Sequence, residues 1–410
     1  MAPEPKPFKI SVPEKALQSL KNKLLSSTYF EEVDFADDWD YGAPMRDVKR
    51  LARYWADGFD WRAQEAKINS TLPQFTTTVH VDKFGDLEMH FVHQKSDNPK
   101  SIPLLFCHGW PGSFLEVEKI LPLLLNQKDG PSFHVVAPSL PNFGFSQGAS
   151  KSGFGVVQYA EVMHKVMINL GYDKYVSQGG DWGYKVTRFI GILFPQHCLA
   201  SHLNMVLAKP PTLAKHPLLY LQDKFIPRTE VEKAGLKRTD WFAKEGAGYN
   251  VLQTTKPSTI GHALADSPVA LLAWIWEKLH DWADDYPWTD DEILTWVSIY
   301  QFSTAGPAAS ARIYYEVQQP NKHESYSNKV YDYNPKVVLG LSYFPQDIFV
   351  PPRAWGRTLG PVVFEANHTE GGHFAAHEKP ELLAGDMKKM FGPGGGASSV
   401  AKRLTEAVRV

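Results

Sequence analysis

The sequence predicts an α/β fold with a mostly parallel, doubly wound sheet, and two observations carry this prediction. Short β-rich runs such as PLLFC and FHVVAPSL alternate with helical stretches such as VVQYAEVMHKVMINL. The alternation stops near residue 205 and resumes near residue 334, where PKVVLGLSYF and GPVVFEAN have the composition of strands. A large helical insertion is therefore predicted to interrupt the sheet.

The same pattern divides the chain into four predicted segments. Residues 1–72 form an N-terminal arm with a helix near Glu14–Leu25, and residues 73–205 form the first part of the sheet domain. Residues 206–333 form the helical cap, and residues 334–410 complete the sheet domain and add a tail. Six of the twelve tryptophans lie between Trp241 and Trp296, so the cap is rich in aromatic rings. The tail contains GPGGGASS, which predicts that it begins as a flexible segment.

Composition argues against several classes of partner. The 410 residues include 43 Lys and Arg against 45 Asp and Glu, and no long run of like charge suggests a nucleic-acid or membrane surface. No apolar run reaches the roughly 18 residues of a membrane span. Two cysteines cannot form a disulfide framework, and the start MAPEPKPFKI lacks the plan of a secretory signal. We expect a soluble, cytoplasmic protein with a small-molecule partner and no membrane anchor.

The stretch GGDWG, residues 179–183, has the frame of a nucleophile motif with an unusual residue at its centre. Serine hydrolases place a serine between the glycines of G-x-S-x-G, whereas here the position is Asp181. A strand-like DKYVSQ precedes the motif and a helix-like GYKVTRFIGILF follows it, as a strand–turn–helix elbow requires. Taken alone, Asp181 is also compatible with a helix N-cap.

Two later residues complete a candidate triad. Asp347 follows the predicted strand PKVVLGLSYF, and His373 follows GPVVFEAN and a Gly-Gly turn. Asp181, Asp347 and His373 stand in the chain order nucleophile, acid, histidine that this kind of fold uses. Each alone could be a loop residue, but the three together in this order predict a catalytic site.

A fourth element is HGWPGS, residues 108–113, directly after the strand PLLFC. The loop at this place supplies one backbone N–H of an oxyanion hole, and the residue after the nucleophile supplies the other. Trp110 and Trp182 are therefore the predicted donors, while His108 is predicted to be a structural loop residue.

Together HGWPGS, GGDWG and GGHFAAHEKPELL resemble the microsomal-type epoxide hydrolase family of α/β hydrolases, most closely its soluble fungal members. The resemblance runs from KISVPEKALQSLKNKLL to the end of PELLAGDMKKMF, which is nearly the whole chain. It implies an α/β-hydrolase fold with a helical cap and an N-terminal arm. Some members have glutamate where this chain has Asp347, and mammalian members carry a membrane anchor.

The resemblance also implies two tyrosines in the cap that hold the epoxide oxygen. GAGYNVLQTTKPSTIG matches the first position, Tyr249, and ARIYYE matches the second, Tyr314. Tyr315 is adjacent and stays an alternative to Tyr314. The implied reaction converts an apolar or aryl epoxide and water to a vicinal diol.

A carboxylate nucleophile suits this reaction because an epoxide carbon is saturated. Attack by a serine would leave an ether, whereas attack by Asp181 leaves an ester that water can open at its carbonyl carbon. His373, oriented by Asp347, would activate that water.

Two other functions stay open on sequence grounds. A haloalkane or haloacid dehalogenase would use the same triad, and Trp110 keeps this alternative open, whereas the two cap tyrosines favour an epoxide. A non-catalytic binding protein of the same fold is the third hypothesis, which the intact triad disfavours. No HExxH and no cysteine pair at ligand spacing occur, so no metal or cofactor is expected. A homodimer is compatible with the sequence.

Overall fold

The computed structural model describes residues 4–126, 130–318 and 326–406, and its centre is a 9-stranded sheet. The strands are β1 (Lys6–Phe8), β2 (Gln74–Val81), β3 (Gly85–Gln94), β4 (Ile102–Cys107), β5 (Phe133–Pro138), β6 (Tyr175–Gly179), β7 (Cys198–Leu203), β8 (Val338–Tyr343) and β9 (Val362–Asn367). Their order across the sheet is β1-β2-β3-β5-β4-β6-β7-β8-β9. From β5 to β9 every neighbouring pair is parallel, and β1, β2, β3 and β5 pair antiparallel. The predicted mostly parallel, doubly wound sheet is confirmed.

Helices cover the sheet on both faces and fill the long connection between β7 and β8. They are α1 (Glu14–Leu25), α2 (Met45–Asp57), α3 (Trp61–Thr71), α4 (Val117–Leu124), α5 (Val156–Asn169), α6 (Asp181–Leu193), α7 (Pro217–Phe225), α8 (Glu230–Trp241), α9 (Gly248–Thr255), α10 (Pro257–Asp266), α11 (Pro268–Asp281), α12 (Asp290–Gln301), α13 (Arg312–Gln318), α14 (Arg353–Gly356), α15 (Ala375–Glu378), α16 (Pro380–Phe391) and α17 (Ser398–Glu406). Among the described residues, none of these helices is both long and apolar enough to cross a membrane.

Strand β4 shows why this sheet must be covered on both sides. All six of its residues are buried. Leu105 and Cys107 belong to one hydrophobic core, whereas Leu104 and Phe106 belong to another. Because successive side chains of a strand point to opposite faces, the two cores lie on the two faces of the sheet. A central parallel strand is therefore apolar throughout, as the run IPLLFC already indicated.

The N-terminal helices bridge the sheet domain and the helices between β7 and β8. Tyr54 of α2 donates its hydroxyl proton to Asp291 at 2.8 Å, and Lys23 of α1 donates to the Asp266 carbonyl at 2.7 Å. Arg50 forms an ion pair with Asp290. The helix predicted near Glu14–Leu25 is present with those bounds. The segment boundaries at residues 72, 205 and 333 stay a prediction.

The structure differs from the sequence prediction in two places. Strand β7, CLASHL, was not among the predicted strands, because its buried polar residues obscure the apolar run. The tail was predicted to begin as a flexible segment, which stays a prediction, and the helix that follows was not predicted. The chain turns at Gly394, where φ is +79°, and forms α17, which buries Ala401 and Leu404 against the sheet domain. These two side chains supply the apolar contact that a Gly/Ser composition alone does not reveal.

We expect Gly183→Ala to destabilise the fold, because a Cβ at this position of α6 would overlap the backbone carbonyl group of Cys107 at the end of β4. Overpacking of this kind costs about 1–3 kcal/mol. The matched control is Gly385→Ala in α16, where an added Cβ meets no atom within 4 Å. Alanine there is expected to stabilise the helix by up to about 1 kcal/mol. Urea unfolding of both variants tests the pair, and equal midpoints would contradict the packing argument.

Candidate active site

Asp181 stands at a sharp turn between β6 and α6. Its φ of +50° lies in the left-handed region that residues other than glycine rarely adopt. Gly180, not Asp181, is the N-cap residue of α6. A side chain at Gly179 would overlap the backbone of Gly183, so the turn needs small residues on both sides of the aspartate. This is the strained elbow geometry that exposes a nucleophile at the edge of the sheet.

The carboxylate of Asp181 is held by backbone N–H groups from the loop after β4 and from the first turn of α6. The N–H of Trp110, in the loop after β4, donates to Oδ1 at 2.7 Å, and the N–H of Trp182 also faces the carboxylate. Burial raises the pKa of Asp181, whereas His373 and the two backbone donors act in the opposite direction. The sequence-predicted donors Trp110 and Trp182 therefore both contact the predicted nucleophile.

His373 and Asp347 lie beside this carboxylate, in the loops that follow β9 and β8. The Nδ1 atom of His373 is 2.8 Å from Oδ1 of Asp347, and its Nε2 atom is 3.8 Å from Oδ2 of Asp181. Oδ1 of Asp347 also accepts the N–H of Ile348 at 2.7 Å, and its side chain is buried. The structure thus brings the three predicted triad residues together in the order Asp347, His373, Asp181.

Opposing effects set the pKa of His373. Burial disfavours the imidazolium, but the hydrogen bond to Asp347 and the negative charges of Asp347, Asp181 and Glu116 outweigh burial and raise the pKa above its ordinary value of 6.5. The imidazole is therefore a stronger base than a free histidine.

Tyr249 of α9 and Tyr314 of α13 enclose the site from the cap side. Their rings meet edge to face with centroids 5.8 Å apart, and both side chains are buried. Tyr249 stacks on Trp110 at 4.9 Å, and Tyr314 meets Trp182 edge-on at 4.8 Å. Each phenol therefore packs on one of the two residues that hold the nucleophile.

Both phenols are poor acids in the resting protein. Burial raises the pKa of Tyr249 and of Tyr314, and the charge of Asp181 raises both further. The hydroxyl of Tyr314 makes no hydrogen bond of normal geometry with the described residues, although it lies close to Tyr249 and Trp182. Tyr315, the alternative left open by the sequence, is half-buried. A buried hydroxyl without a partner is a group prepared to donate to a ligand.

Three cap side chains that sequence reasoning missed support the catalytic loops. The indole N–H of Trp296 donates to the Pro111 carbonyl at 2.5 Å, and the hydroxyl of Tyr300 donates to the Gly112 carbonyl at 2.6 Å. The ring of Trp282 lies edge-on to the imidazole of His373, and the backbone carbonyl of Trp282 accepts the N–H of His373 at 2.8 Å. The abundance of tryptophan in the cap was the available signal, but it did not say which rings face the sheet domain.

Both ring nitrogens of His108 contact backbone groups. Its Nδ1 atom lies 2.9 Å from the Gly109 carbonyl, and its Nε2 atom accepts the N–H of Leu140 at 3.1 Å. Burial lowers its pKa to about 4, so the ring is neutral and connects two loops. Within the described ranges, no group of three or more His, Cys, Asp or Glu side chains is arranged to hold a metal ion.

Two protein-family models match the chain. One, described as epoxide hydrolase N terminus, covers residues 5–117, and one for the alpha/beta hydrolase fold covers residues 102–233. The first match includes the arm helices and the HGWPGS loop, and the second includes the elbow at Asp181.

Relatives of known name match over nearly the full length. The chain is 36% identical over 399 residues to a putative epoxide hydrolase of Stigmatella aurantiaca, covering 94% of this chain and 84% of that protein. It is 33% identical over 420 residues to epoxide hydrolase 1 of Sus scrofa, covering 94% of this chain and 88% of that protein.

Solved structures agree in fold. The epoxide hydrolase of Aspergillus niger is 34% identical with a TM-score of 0.80, covering 94% of this chain and 97% of that chain. The juvenile hormone epoxide hydrolase of Bombyx mori is 27% identical with a TM-score of 0.83, covering 98% of this chain and 96% of that chain. With these identities over nearly its whole length, the protein belongs to the epoxide hydrolase family of α/β-hydrolase-fold enzymes.

Proposed function

We propose that this enzyme opens an apolar or aryl epoxide through a covalent ester on Asp181 and releases a vicinal diol when water hydrolyses that ester. One observation carries the proposal: a carboxylate, a histidine–aspartate pair and two buried phenols converge on one site. A serine hydrolase would have a serine at the elbow and not a carboxylate. A binding protein without catalytic activity would not need the hydrogen-bonded pair of His373 and Asp347.

In the first half of the reaction, Oδ2 of Asp181 attacks a carbon of the epoxide. Oδ1 is occupied by the Trp110 N–H, so Oδ2 is the oxygen free to form the new bond. The C–O bond that breaks leaves negative charge on the epoxide oxygen. Tyr249 and Tyr314 donate hydrogen bonds to that oxygen, where unpaired charge in a dry site would be costly.

In the second half, His373 takes a proton from a water molecule that attacks Cγ of the ester. The charge then develops on Oδ1, where the backbone N–H groups of Trp110 and Trp182 stabilise it. The bond between Cγ and Oδ2 then breaks, and Oδ2 takes the proton held by His373 and leaves as a hydroxyl of the diol. The oxygen of water joins Asp181. Asp347 keeps the imidazole oriented and stabilises its protonated form.

The rings around the site support the substrate class. Trp110, Tyr249, Trp282, Tyr314 and Phe242 pack against one another with centroid separations of 4.9–6.4 Å. Such walls favour flat apolar groups over small polar ones. A haloalkane is a poorer match, because two phenols at the leaving-group position suit an oxygen.

We expect His373→Ala to accumulate the alkyl-enzyme, because the nucleophile remains while the base for hydrolysis is lost. Hydrolysis of the ester should slow by about 10³-fold or more. Intact mass after incubation with styrene oxide should show one added substrate mass, located on the peptide that contains Asp181. A small polar epoxide should react more slowly, and equal rates would contradict the aromatic preference.

A single turnover of the wild-type enzyme in ¹⁸O-labelled water provides the control. The ester route leaves the label on Asp181 and yields an unlabelled first diol. Label in the first diol, without an adduct in His373→Ala, would mean that water attacks the epoxide directly.

Tyr249→Phe and Tyr314→Phe should each slow alkylation of Asp181 by about 10²-fold, because each removes one donor to the developing alkoxide. Stopped-flow tryptophan fluorescence in single turnovers reports this step. Tyr315→Phe is the matched control at the adjacent, half-buried position and should not slow alkylation. A larger effect at Tyr315 than at Tyr314 would reverse the assignment.

The pH dependence of ester hydrolysis should follow His373. In the free enzyme the raised pKa means that the neutral base is lost as the pH falls through a value above 6.5. Alkylation neutralises Asp181 and removes one of the charges that raise this pKa, so the midpoint for ester hydrolysis should lie at lower pH than that of the free enzyme. Asp347→Asn should move the hydrolysis midpoint lower again. An unchanged midpoint in Asp347→Asn would contradict the assigned pair.

A further inference from the structure

A buried lysine of the cap lies over the ring of Tyr249. Lys278 is on α11, and its side chain is 3% exposed. Its ammonium group is 5.1 Å from the centroid of the Tyr249 ring and 5.3 Å from that of Trp274. Burying an ammonium ion is unfavourable, and lysine is rarely buried in proteins without compensation. The position of Lys278 therefore calls for a compensating interaction.

The two partners of the ion pair between Lys278 and Glu277 differ in their exposure to water. Glu277, the preceding residue, approaches the ammonium group to 2.5 Å, but the glutamate side chain is 27% exposed. Burial lowers the pKa of Lys278, whereas Glu277 and Asp281 favour the charged form. Water screens the carboxylate of Glu277 more than the ammonium of Lys278. The ammonium of Lys278 is therefore the more buried member of the pair, and it is the member that lies over the ring of Tyr249.

Ring packing fixes the position of Tyr249 relative to the ammonium group of Lys278. Its ring is stacked on Trp110 with an angle of 13° between the planes, and it packs on Trp282 at 5.2 Å. Beneath Lys278, the Trp274 indole N–H donates to Gln253 of α9, the helix that carries Tyr249, at 3.3 Å. This hydrogen bond links the helix that carries Lys278 to the helix that carries Tyr249.

We propose that Lys278 is a positioning residue whose charge makes Tyr249 a better acid during epoxide opening. This inference rests on the proposed function, in which Tyr249 donates to the epoxide oxygen. As the Asp181–carbon bond forms and the epoxide C–O bond breaks, the phenol proton moves to the departing oxygen. Negative charge then grows on the Tyr249 oxygen and ring, and the attraction to the ammonium grows with it. Water returns a proton to Tyr249 when the ester is hydrolysed.

A purely structural role for the ion pair leads to different results. If Lys278 and Glu277 only held the cap together, removal of either partner would weaken the site, and the harm would not depend on the hydroxyl of Tyr249. If the charge acts through Tyr249, only the loss of the cation slows the reaction. As long as Lys278 stays protonated, the loss of the anion would leave the rate unchanged or raise it, because the charge of Glu277 raises the pKa of Tyr249.

The experiment measures alkylation of Asp181 and hydrolysis of the ester separately, in single turnovers of the full-length enzyme with styrene oxide. We expect Lys278→Met, which keeps the length of the side chain, to slow alkylation about tenfold, the scale of a desolvated cation–ring interaction. Ester hydrolysis should not be slowed. Lys278→Arg, which retains the charge, should recover most of the alkylation rate. Glu277→Gln, assayed at a pH that keeps Lys278 protonated, should not slow alkylation.

A double-mutant cycle with Tyr249→Phe decides between the two accounts. Lys278→Met should have no further effect on alkylation once the Tyr249 hydroxyl is absent. Equal slowing in both backgrounds, slowing by Glu277→Gln, or an unchanged rate in Lys278→Met would overturn the inference. Should Lys278→Met fail to fold, Glu277→Gln and Lys278→Arg still test it. If Tyr249→Phe alone leaves alkylation unchanged, the proposed role of Tyr249 fails, and that result is read independently of Lys278.

Discussion

The hydrogen bond from the Trp110 N–H to Oδ1 of Asp181 joins the main parts of this structure. A buried carboxylate needs donors, and this one takes them from the loop after β4 and the first turn of α6, at the carboxyl ends of neighbouring parallel strands, β4 and β6. The two donors can approach the same carboxylate because α6 begins close to the end of β4. The backbone of Cys107 leaves no room there for a side chain at Gly183. In the proposed mechanism the same two N–H groups are aimed at the oxygen on which charge develops during ester hydrolysis, so the contact that holds the carboxylate of Asp181 is also suited to the proposed catalysis.

The cap is part of this arrangement and not a separate cover. Trp296 and Tyr300 of α12 donate to consecutive carbonyl groups of the loop that contains Trp110, and Trp282 accepts the N–H of His373. Cap side chains therefore hold the donor loop, and a cap backbone carbonyl holds the loop that carries His373. The arm in turn contacts α12 through Tyr54 and Asp291. The geometry of the active site consequently depends on residues drawn from all parts of the chain.

In the proposed mechanism, burial works against both halves of the reaction, because it disfavours the charged form of each acid or base. It makes the phenols of Tyr249 and Tyr314 weaker acids, and it disfavours the imidazolium form of His373. For His373 the surrounding carboxylates reverse the effect, whereas the nearby carboxylate of Asp181 makes the phenols weaker still. A cation near the phenols would favour their ionised form, and Lys278 lies over the ring of Tyr249. Loss of the Asp181 charge on alkylation changes this balance between the two steps.

The sequence by itself determined the alternation of strands and helices with a helical insertion, the elbow with Asp181 at its tip, and the chain order Asp181, Asp347, His373. These features are local or follow from chain order: apolar strands, glycines at a tight turn, and polar residues at strand ends. Tertiary packing decided the rest. Tyr314 and Tyr315 are adjacent on α13, and only the packing of that helix turns Tyr314 inward. Lys278, Trp282 and Trp296 have no distinguishing local pattern, because their roles depend on which helix face meets the catalytic loops. Residues far apart in the chain meet only in the folded protein, so composition could indicate an aromatic cap but not which of its side chains reach the site.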